Sequence, residues 1–329
     1  MRAPVEYAVV VPTIGRPCLA DCLRALAASA GQRPAEVVVV DDRPAAVGGL
    51  PVGTAGDLPV RVLATGGRGP AAARNAGART VGAPWVVFLD DDVQVLPDWA
   101  ERLAEDLAEA DERTAGVQGR LRVPLPDNRK PTDWERGTAG LEAAAWATAD
   151  MAYRATALKE VGGFDERFRR AFREDADLAL RMMDAGWVLR RGRRVTRHPV
   201  RPSGPWASVR AQRGNADDVL MNRLHGRDWW ARGEAPRGRL PGHLATTGLA
   251  CVAVVGTATG RRRGAALAAA LWVAATAEFA WARIAPGPRT CREAAVMAAT
   301  SVVIPPFAVW HWLAGQIEHR GVRSLGDDR

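Results

Sequence analysis

Four short apolar runs, at residues 7–12, 36–41, 60–64 and 85–89, alternate with Ala-, Leu- and Arg-rich stretches of helical length. This order constrains the fold more than any other feature, because strand–helix alternation marks a parallel sheet with helices packed on its faces. Three of the runs are unbroken rather than alternating, as strands covered on both faces must be. Residues 18–30, 70–81 and 97–110 are the expected helices; the first and third open near a proline that suits an initial helical turn. Past the fourth strand the alternation loosens. Residues 117–123 read as a further strand, 124–140 as a polar, proline-containing loop, and 155–161 and 174–185 as helices.

From residue 244 the composition changes to three apolar blocks, 244–259, 265–282 and 294–314, separated by Arg261-Arg262-Arg263 and by Pro286-Gly287-Pro288-Arg289. The first spans only roughly 24 Å as a helix, short for a bilayer core. The others approach the ~20 residues a crossing needs, although Glu278 and Pro305-Pro306 weaken them as spans. Trp272, Trp281, Trp310 and Trp312 sit where interfacial anchors belong. The alternative is a soluble Ala-rich bundle packed on the N-terminal domain.

The chain's 329 residues are enough to bury a full core, and with 47% hydrophobic and 25% charged residues it is not disordered. The net charge of +8 is concentrated: residues 186–240 hold thirteen Arg against Asp217, Asp218, Asp228 and Glu234, an excess of nine. Such a segment suggests an anionic partner. No finger, helix-turn-helix or aromatic-interleaved groove accompanies it, so nucleic acid is disfavoured and an acidic membrane surface or phosphorylated acceptor fits better. Cys18, Cys22, Cys251 and Cys291 form no CxxC pair and are read as reduced thiols, which points to a cytosolic face. Residues 1–7 carry one Arg and one Glu and lead into a strand rather than a longer apolar region, so no signal peptide is expected.

Chemistry concentrates at Asp90-Asp91-Asp92, three carboxylates directly after a buried strand, where ligands of open α/β sheets gather. Carboxylate oxygens suit Mg²⁺ or Mn²⁺, ions that usually complete their shells with substrate phosphates. Read as DxD, Asp90 and Asp92 point to the same side of an extended turn. Read structurally, the cluster is an acidic turn before the helix at Pro97, where negative charge is favourable anyway.

Five further segments break that tie: Val9-Val10-Val11-Pro12-Thr13, Val38-Val39-Val40-Asp41-Asp42, Ala73-Arg74-Asn75-Ala76-Gly77, Gly162-Gly163-Phe164-Asp165-Glu166 and the run Arg173-Glu174-Asp175 to Arg181. Together with the aspartate cluster, and in this order, they resemble the family-2 glycosyltransferases of GT-A fold, over roughly two thirds of the chain. The resemblance implies a nucleotide-diphosphate-sugar donor, a divalent cation and inversion at the anomeric carbon. It places Pro12 and Thr13 beside the nucleotide and Asp41 on the donor base, where a carboxylate can accept the N–H of a uracil-type ring, making a UDP-sugar the expected donor. Arg74 falls in a segment that faces the nucleotide, with a salt bridge to the acidic turn as the structural alternative. Asp90, with Asp91 beside it, approaches the ribose and metal, and Asp92 binds the metal that bridges the diphosphate. Asp175 matches the general base, with Glu174 next in line. His198 falls where some members place a histidine near the diphosphate. Asp150 and Asp165 are weaker acceptor-side candidates.

These readings give a GT-A-type mixed sheet flanked by helices at 1–200, a basic connecting segment at 201–240 and an apolar, membrane-associated helical region at 241–329. The expected acceptor is a lipid-linked or cell-envelope glycan at the cytoplasmic membrane face. The QxxRW motif of processive synthases is missing, since no Trp follows Gln212-Arg213 at the right spacing, and this favours transfer of a single sugar. Thr13-Ile14-Gly15-Arg16-Pro17 is not GxGxxG, which sets dinucleotide binding aside. Gly66-Gly67-Arg68-Gly69 lacks the ending of a P-loop and reads as a flexible turn. The rival from another class is a catalytically silent sugar-nucleotide-binding subunit that anchors or regulates a membrane enzyme. A sugar-1-phosphate nucleotidyltransferase would need a Gly-rich basic loop after the first strand, which this chain lacks.

Overall fold

The structure, a computed structural model, describes residues 5–325, without the Thr54 side chain. The expectation for residues 1–7 therefore falls partly outside the described residues. In chain order the elements begin β1 (Tyr7–Thr13), α1 (Leu19–Ala28), β2 (Val37–Asp41), β3 (Val60–Ala64), α2 (Pro70–Ala78), β4 (Trp85–Leu89), β5 (Gln94–Val95), α3 (Trp99–Ala108) and β6 (Thr114–Arg122). There follow α4 (Asp133–Ala139), β7 (Asp150–Arg154), α5 (Ala155–Glu160), α6 (Glu174–Asp184), β8 (Val188–Arg197), α7 (Ala207–Arg210), α8 (Gly214–His225), α9 (Trp229–Arg232), α10 (Leu240–Ala258), α11 (Arg262–Ile284) and α12 (Cys291–Glu318).

The chain forms two compact units. The first holds residues to Pro124, Ala139–Val200 and Arg232–Ala235; the second holds Leu125–Thr138, Arg201–Ala231 and the chain from Pro236. In the first unit all eight strands join one sheet in the order β3-β2-β1-β4-β7-β6-β8-β5. β3, β2, β1 and β4 are parallel, as strand–helix alternation requires. β7 then enters antiparallel between β4 and β6, so the sheet as a whole is mixed. The unbroken runs β1, β2 and β4 are covered on both faces, while the alternating run β3 lies at the edge with Arg61, Val62 and Ala64 exposed.

β7 and β8 were not legible as strands. In β8 the buried positions include Gly192, Arg194 and Thr196, so the inward face carries none of the apolar alternation that announces a strand. Four of the thirteen arginines in the basic segment lie on this strand and have partners within the unit. Arg194 is fully buried, and Arg190, Arg191 and Arg193 pair with Asp111, Glu234 and Glu109. Most of the charge around β8 is therefore neutralised within the unit.

In the second unit α10, α11 and α12 are each long and apolar enough to cross a membrane. Their apolar surface is largely uncovered: Val254 is 69% exposed, Leu267 63%, Trp310 67% and Ile317 69%. The residues that weaken them as spans have local explanations. α10 starts at Leu240, four residues before the apolar block, which restores its length. Glu278 accepts from Arg239 at 3.0 Å. α12 continues through Pro305 and Pro306; Pro305 is buried, and farther along the helix Gly315 lies so close to Ala216 of α8 that a Cβ would stand 2.8 Å from its Cα. Buried Arg283 is satisfied by Asp133 at 2.8 Å, Thr300 at 2.8 Å and Ser208 at 3.0 Å.

Candidate active site

The parallel strands deliver the site. Thr13 and Asp41 are register partners at the carboxyl ends of β1 and β2, and Asp90 follows directly on β4. Pro12 lies beyond the last β1–β4 pair, Val10 with Phe88, where its missing N–H costs that ladder nothing. The Thr13 hydroxyl donates to Asp91 at 2.6 Å, and Arg16 donates to the other oxygen at 2.7 Å. Asp91 is 1% exposed, so it anchors the acidic turn to β1, while Asp90 before it is half-buried and Asp92 after it faces His198.

Asp90, Asp92 and His198 each offer a ligand atom, and these atoms lie within 4.8 Å of one another. Asp90 is half-buried, Asp92 and His198 are buried, and His198 Nε2 stands 3.7 Å from Asp92. His198 Nδ1 is a buried nitrogen without a hydrogen-bond partner among the described residues. Two hard carboxylates and one imidazole, three candidate ligands in all, fit a divalent cation that keeps positions for water or phosphate.

Arg74 connects this cluster to α6. It is 2% exposed and donates to Asp90 at 2.8 Å through one amino group and to Glu174 at 2.8 Å through the other. The expected salt bridge to the acidic turn is thus present, with a second carboxylate added. Burial works to lower the Arg74 pKa, but Asp90 and Glu174 outweigh it and raise it. Burial, with the charge of Asp175 added, pushes the Glu174 carboxyl up to about 8 against the pull of Arg74. Burial raises Asp175 as well, with Asp90 contributing and Arg74 opposing. Asp175 is half-buried, accepts from the Ala176 amide at 2.8 Å and has no side-chain partner among the described residues. It sits in the first turn of α6, which Arg173 enters at φ +76°. A non-glycine residue in that region is strained, and such strain clusters at functional sites.

Asp41 is held by Arg43, whose guanidinium donates to both its oxygens, at 2.8 Å and 2.6 Å; this hydrogen bonding holds the carboxyl below the usual range. Asp165 accepts from the Arg167 amide at 2.9 Å, a turn role. Asp150 is fully buried and bonded to Arg194, Trp99 and Thr196, which corrects its reading as an acceptor-side residue.

Two residues escaped the sequence reading. Asp42 accepts from Thr65 at 2.7 Å and from the amides of Arg68 and Gly69 at 2.8 Å each. The glycine turn is therefore pinned in place ahead of the helix that carries Arg74, where a flexible turn was expected. Asn75 exchanges hydrogen bonds with the backbone of Phe164, at 2.8 Å in each direction, tying α2 to the Gly162–Glu166 loop. Gly163 has φ +74°, and a Cβ there would stand 2.5 Å from Asn75 Oδ1, so glycine is required on both counts. The signal available was the Arg74-Asn75 dipeptide and the Asp41-Asp42 pair, in each of which the second residue has no role in the sequence reading.

Residues 8–177 match the family model described as Glycosyl transferase family 2. Over an alignment of 137 residues the chain is 34% identical to the Pre-mycofactocin glycosyltransferase of Mycobacterium tuberculosis (strain ATCC 25618 / H37Rv), covering 37% of this chain and 28% of that protein's length. The same values hold for the protein of strain CDC 1551 / Oshkosh. Among solved structures, the mannosyltransferase PcManGT from Pyrobaculum calidifontis, in complex with GDP-Man and Mn²⁺, is similar with a TM-score of 0.54 at 20% identity, over 97% of this chain and 89% of that one. GalNAc-T7 with UDP, GalNAc and Mn²⁺ is similar with a TM-score of 0.51 at 16% identity, over 70% of this chain and 51% of that one. These likenesses show the GT-A fold. The family match takes in more than half of the chain, from β1 to Asp177 and so across Arg74, the acidic turn and Asp175, and the chain belongs to glycosyl transferase family 2.

Proposed function

We propose that this chain transfers a single sugar from a nucleotide-diphosphate sugar to an acceptor hydroxyl, with inversion, using Mg²⁺ or Mn²⁺. The observation that carries the reading is the Arg74 bridge: one buried guanidinium joins Asp90 of the carboxylate–imidazole cluster to the residue next to Asp175. This link supports assigning donor activation and acceptor deprotonation to neighbouring groups of one site. Asp90, Asp92 and His198 would hold the cation. When bound, it neutralises the charge that develops on the leaving diphosphate, so no protonated acid is needed on that side.

One base is then sufficient. Glu174 is committed to Arg74, while Asp175 has a carboxylate available to take the proton of the attacking hydroxyl. A UDP-sugar is the proposed donor, with Asp41 accepting the uracil N–H; Arg43, which now occupies Asp41, must share or release it. Pro12 and Thr13 line the same strand end. The ligands of the two fold neighbours, GDP-Man with Mn²⁺ in one and UDP, GalNAc and Mn²⁺ in the other, support a metal-assisted transfer. The uncovered apolar faces of α10–α12 support association with a membrane; a lipid-linked or cell-envelope glycan at the cytoplasmic face is the proposed acceptor.

A panel of UDP- and GDP-sugars, scored for nucleotide release with Mn²⁺ present, tests the proposal. Release from one donor that is lost with EDTA and in Asp92→Asn supports it. Binding of nucleotide with release from no donor, even with membrane extract supplied as acceptor, would favour the silent subunit instead.

A further inference from the structure

Asp150 opens β7 with no exposed surface, yet its carboxylate is fully engaged. Oδ1 accepts from Arg194 Nε at 2.8 Å, and Oδ2 accepts from Trp99 Nε1 at 2.8 Å and the Thr196 hydroxyl at 2.6 Å. Arg194 goes on to Asp106 at 3.2 Å and to the Val117 carbonyl at 2.7 Å. Room for the carboxylate exists only because residue 119 is glycine: a Cβ there would stand 2.2 Å from Oδ2.

The elements that meet at Asp150 are those whose ends carry the cation cluster. Its backbone pairs with Leu89, the residue before Asp90, and the neighbouring Ala149 carbonyl accepts from the Asp90 amide at 3.3 Å. Thr196 stands two residues before His198 on β8 and pairs with Val95, three residues beyond Asp92. Trp99 opens the helix that follows β5. One carboxylate therefore ties the strand leading to Asp90 and Asp92 to the strand leading to His198. A buried ion pair is weak evidence for a purely stabilising role, because replacing one by apolar groups of similar size is often neutral or stabilising.

We propose that Asp150 is a positioning residue of the cation site, setting His198 against Asp90 and Asp92 without touching the ion. The inference rests on the cation reading of that cluster. Thr196→Val and Trp99→Phe each remove one donor to Asp150 and leave every charge in place. Thr196→Ser keeps the hydroxyl, and Asp106→Asn perturbs Arg194 from the side away from Asp150.

The full-length protein is titrated with Mn²⁺, with and without UDP, following free Mn²⁺ by electron paramagnetic resonance, and each variant's Tm is measured beside it. Thr196→Val and Trp99→Phe should raise the Mn²⁺ dissociation constant about tenfold, the lower end for residues that orient ligands from behind. Thr196→Ser should restore the wild-type value, and Asp106→Asn should lower Tm while leaving Mn²⁺ binding unchanged. Mn²⁺ binding that is abolished by Asp92→Asn yet unmoved by Thr196→Val and Trp99→Phe overturns this inference alone, as does an equal weakening by Asp106→Asn. Should Trp99→Phe not fold, the Thr196 pair decides. A wild-type chain that binds no Mn²⁺, or whose binding ignores Asp92→Asn, overturns the cation reading and this inference with it.

Discussion

Two buried arginines divide the GT-A unit between them, and each faces two carboxylates. Arg194 uses Nε and both amino groups on Asp150, Asp106 and the Val117 carbonyl. Arg74 uses its amino groups on Asp90 and Glu174, but its Nε and the second Glu174 oxygen are buried without partners among the described residues. The Asp90 side chain stays 29% exposed, whereas those around Arg194 are at most 2% exposed. A saturated cluster in the interior is scaffold. An unsaturated one that is partly exposed retains bonding capacity for a ligand, and carboxyl groups raised by burial, as at Glu174 and Asp175, recur at functional sites.

The sharpest way to break this contrast is at Asp175. Asp175→Asn keeps the shape but removes the basic oxygen, so turnover should fall about 10²–10⁴-fold, while calorimetry shows nucleotide and Mn²⁺ binding intact. Near-normal turnover would reassign the base to Glu174; loss of binding as well would make Asp175 part of the donor site.

Next in size is the exchange of each arginine for methionine. Arg194→Met strands Asp106 and Asp150 in the core and should destabilise the fold by about 3–5 kcal/mol in denaturant titrations. Arg74→Met should cost less, because Glu174 can keep its proton, and should show instead as lost turnover. Equal losses of stability would erase the distinction.

A smaller effect concerns pH. The folded-state pKa of Glu174 is raised to about 8 by burial and by Asp175, so its contribution to stability is fully present below the ordinary glutamate value and is lost as pH rises through about 8. Without added cation, Tm should decline from about pH 5 to about pH 8 and level off above, and Glu174→Gln should flatten that decline. A parallel decline in both proteins would show that Glu174 is already ionised at neutral pH.

The least effect is expected where sequence charge was greatest. Replacing Arg190, Arg191 and Arg193 with Gln removes three surface ion pairs, each worth about 0–1 kcal/mol. Vesicle binding and its salt dependence should stay close to wild type. A marked loss would return the segment to the role of a docking patch.

The sequence by itself determined the parallel half of the sheet and the acidic turn, because unbroken apolar runs and carboxylates at a strand end follow from local chain chemistry. Its six ordered motifs carried the family, and the apolar blocks anticipated α10–α12 to within a few residues. Tertiary structure alone decided which charges are scaffold. Asp91 and Asp92 are neighbours of identical chemistry, yet Thr13 and Arg16, 78 and 75 residues from Asp91, take one of them, while the other faces His198. Arg193 and Arg194 are likewise adjacent, but successive side chains on a strand point to opposite sides, so one reaches solvent and the other Asp150. Composition counts such residues alike; only the register of β8 against its neighbours separates them.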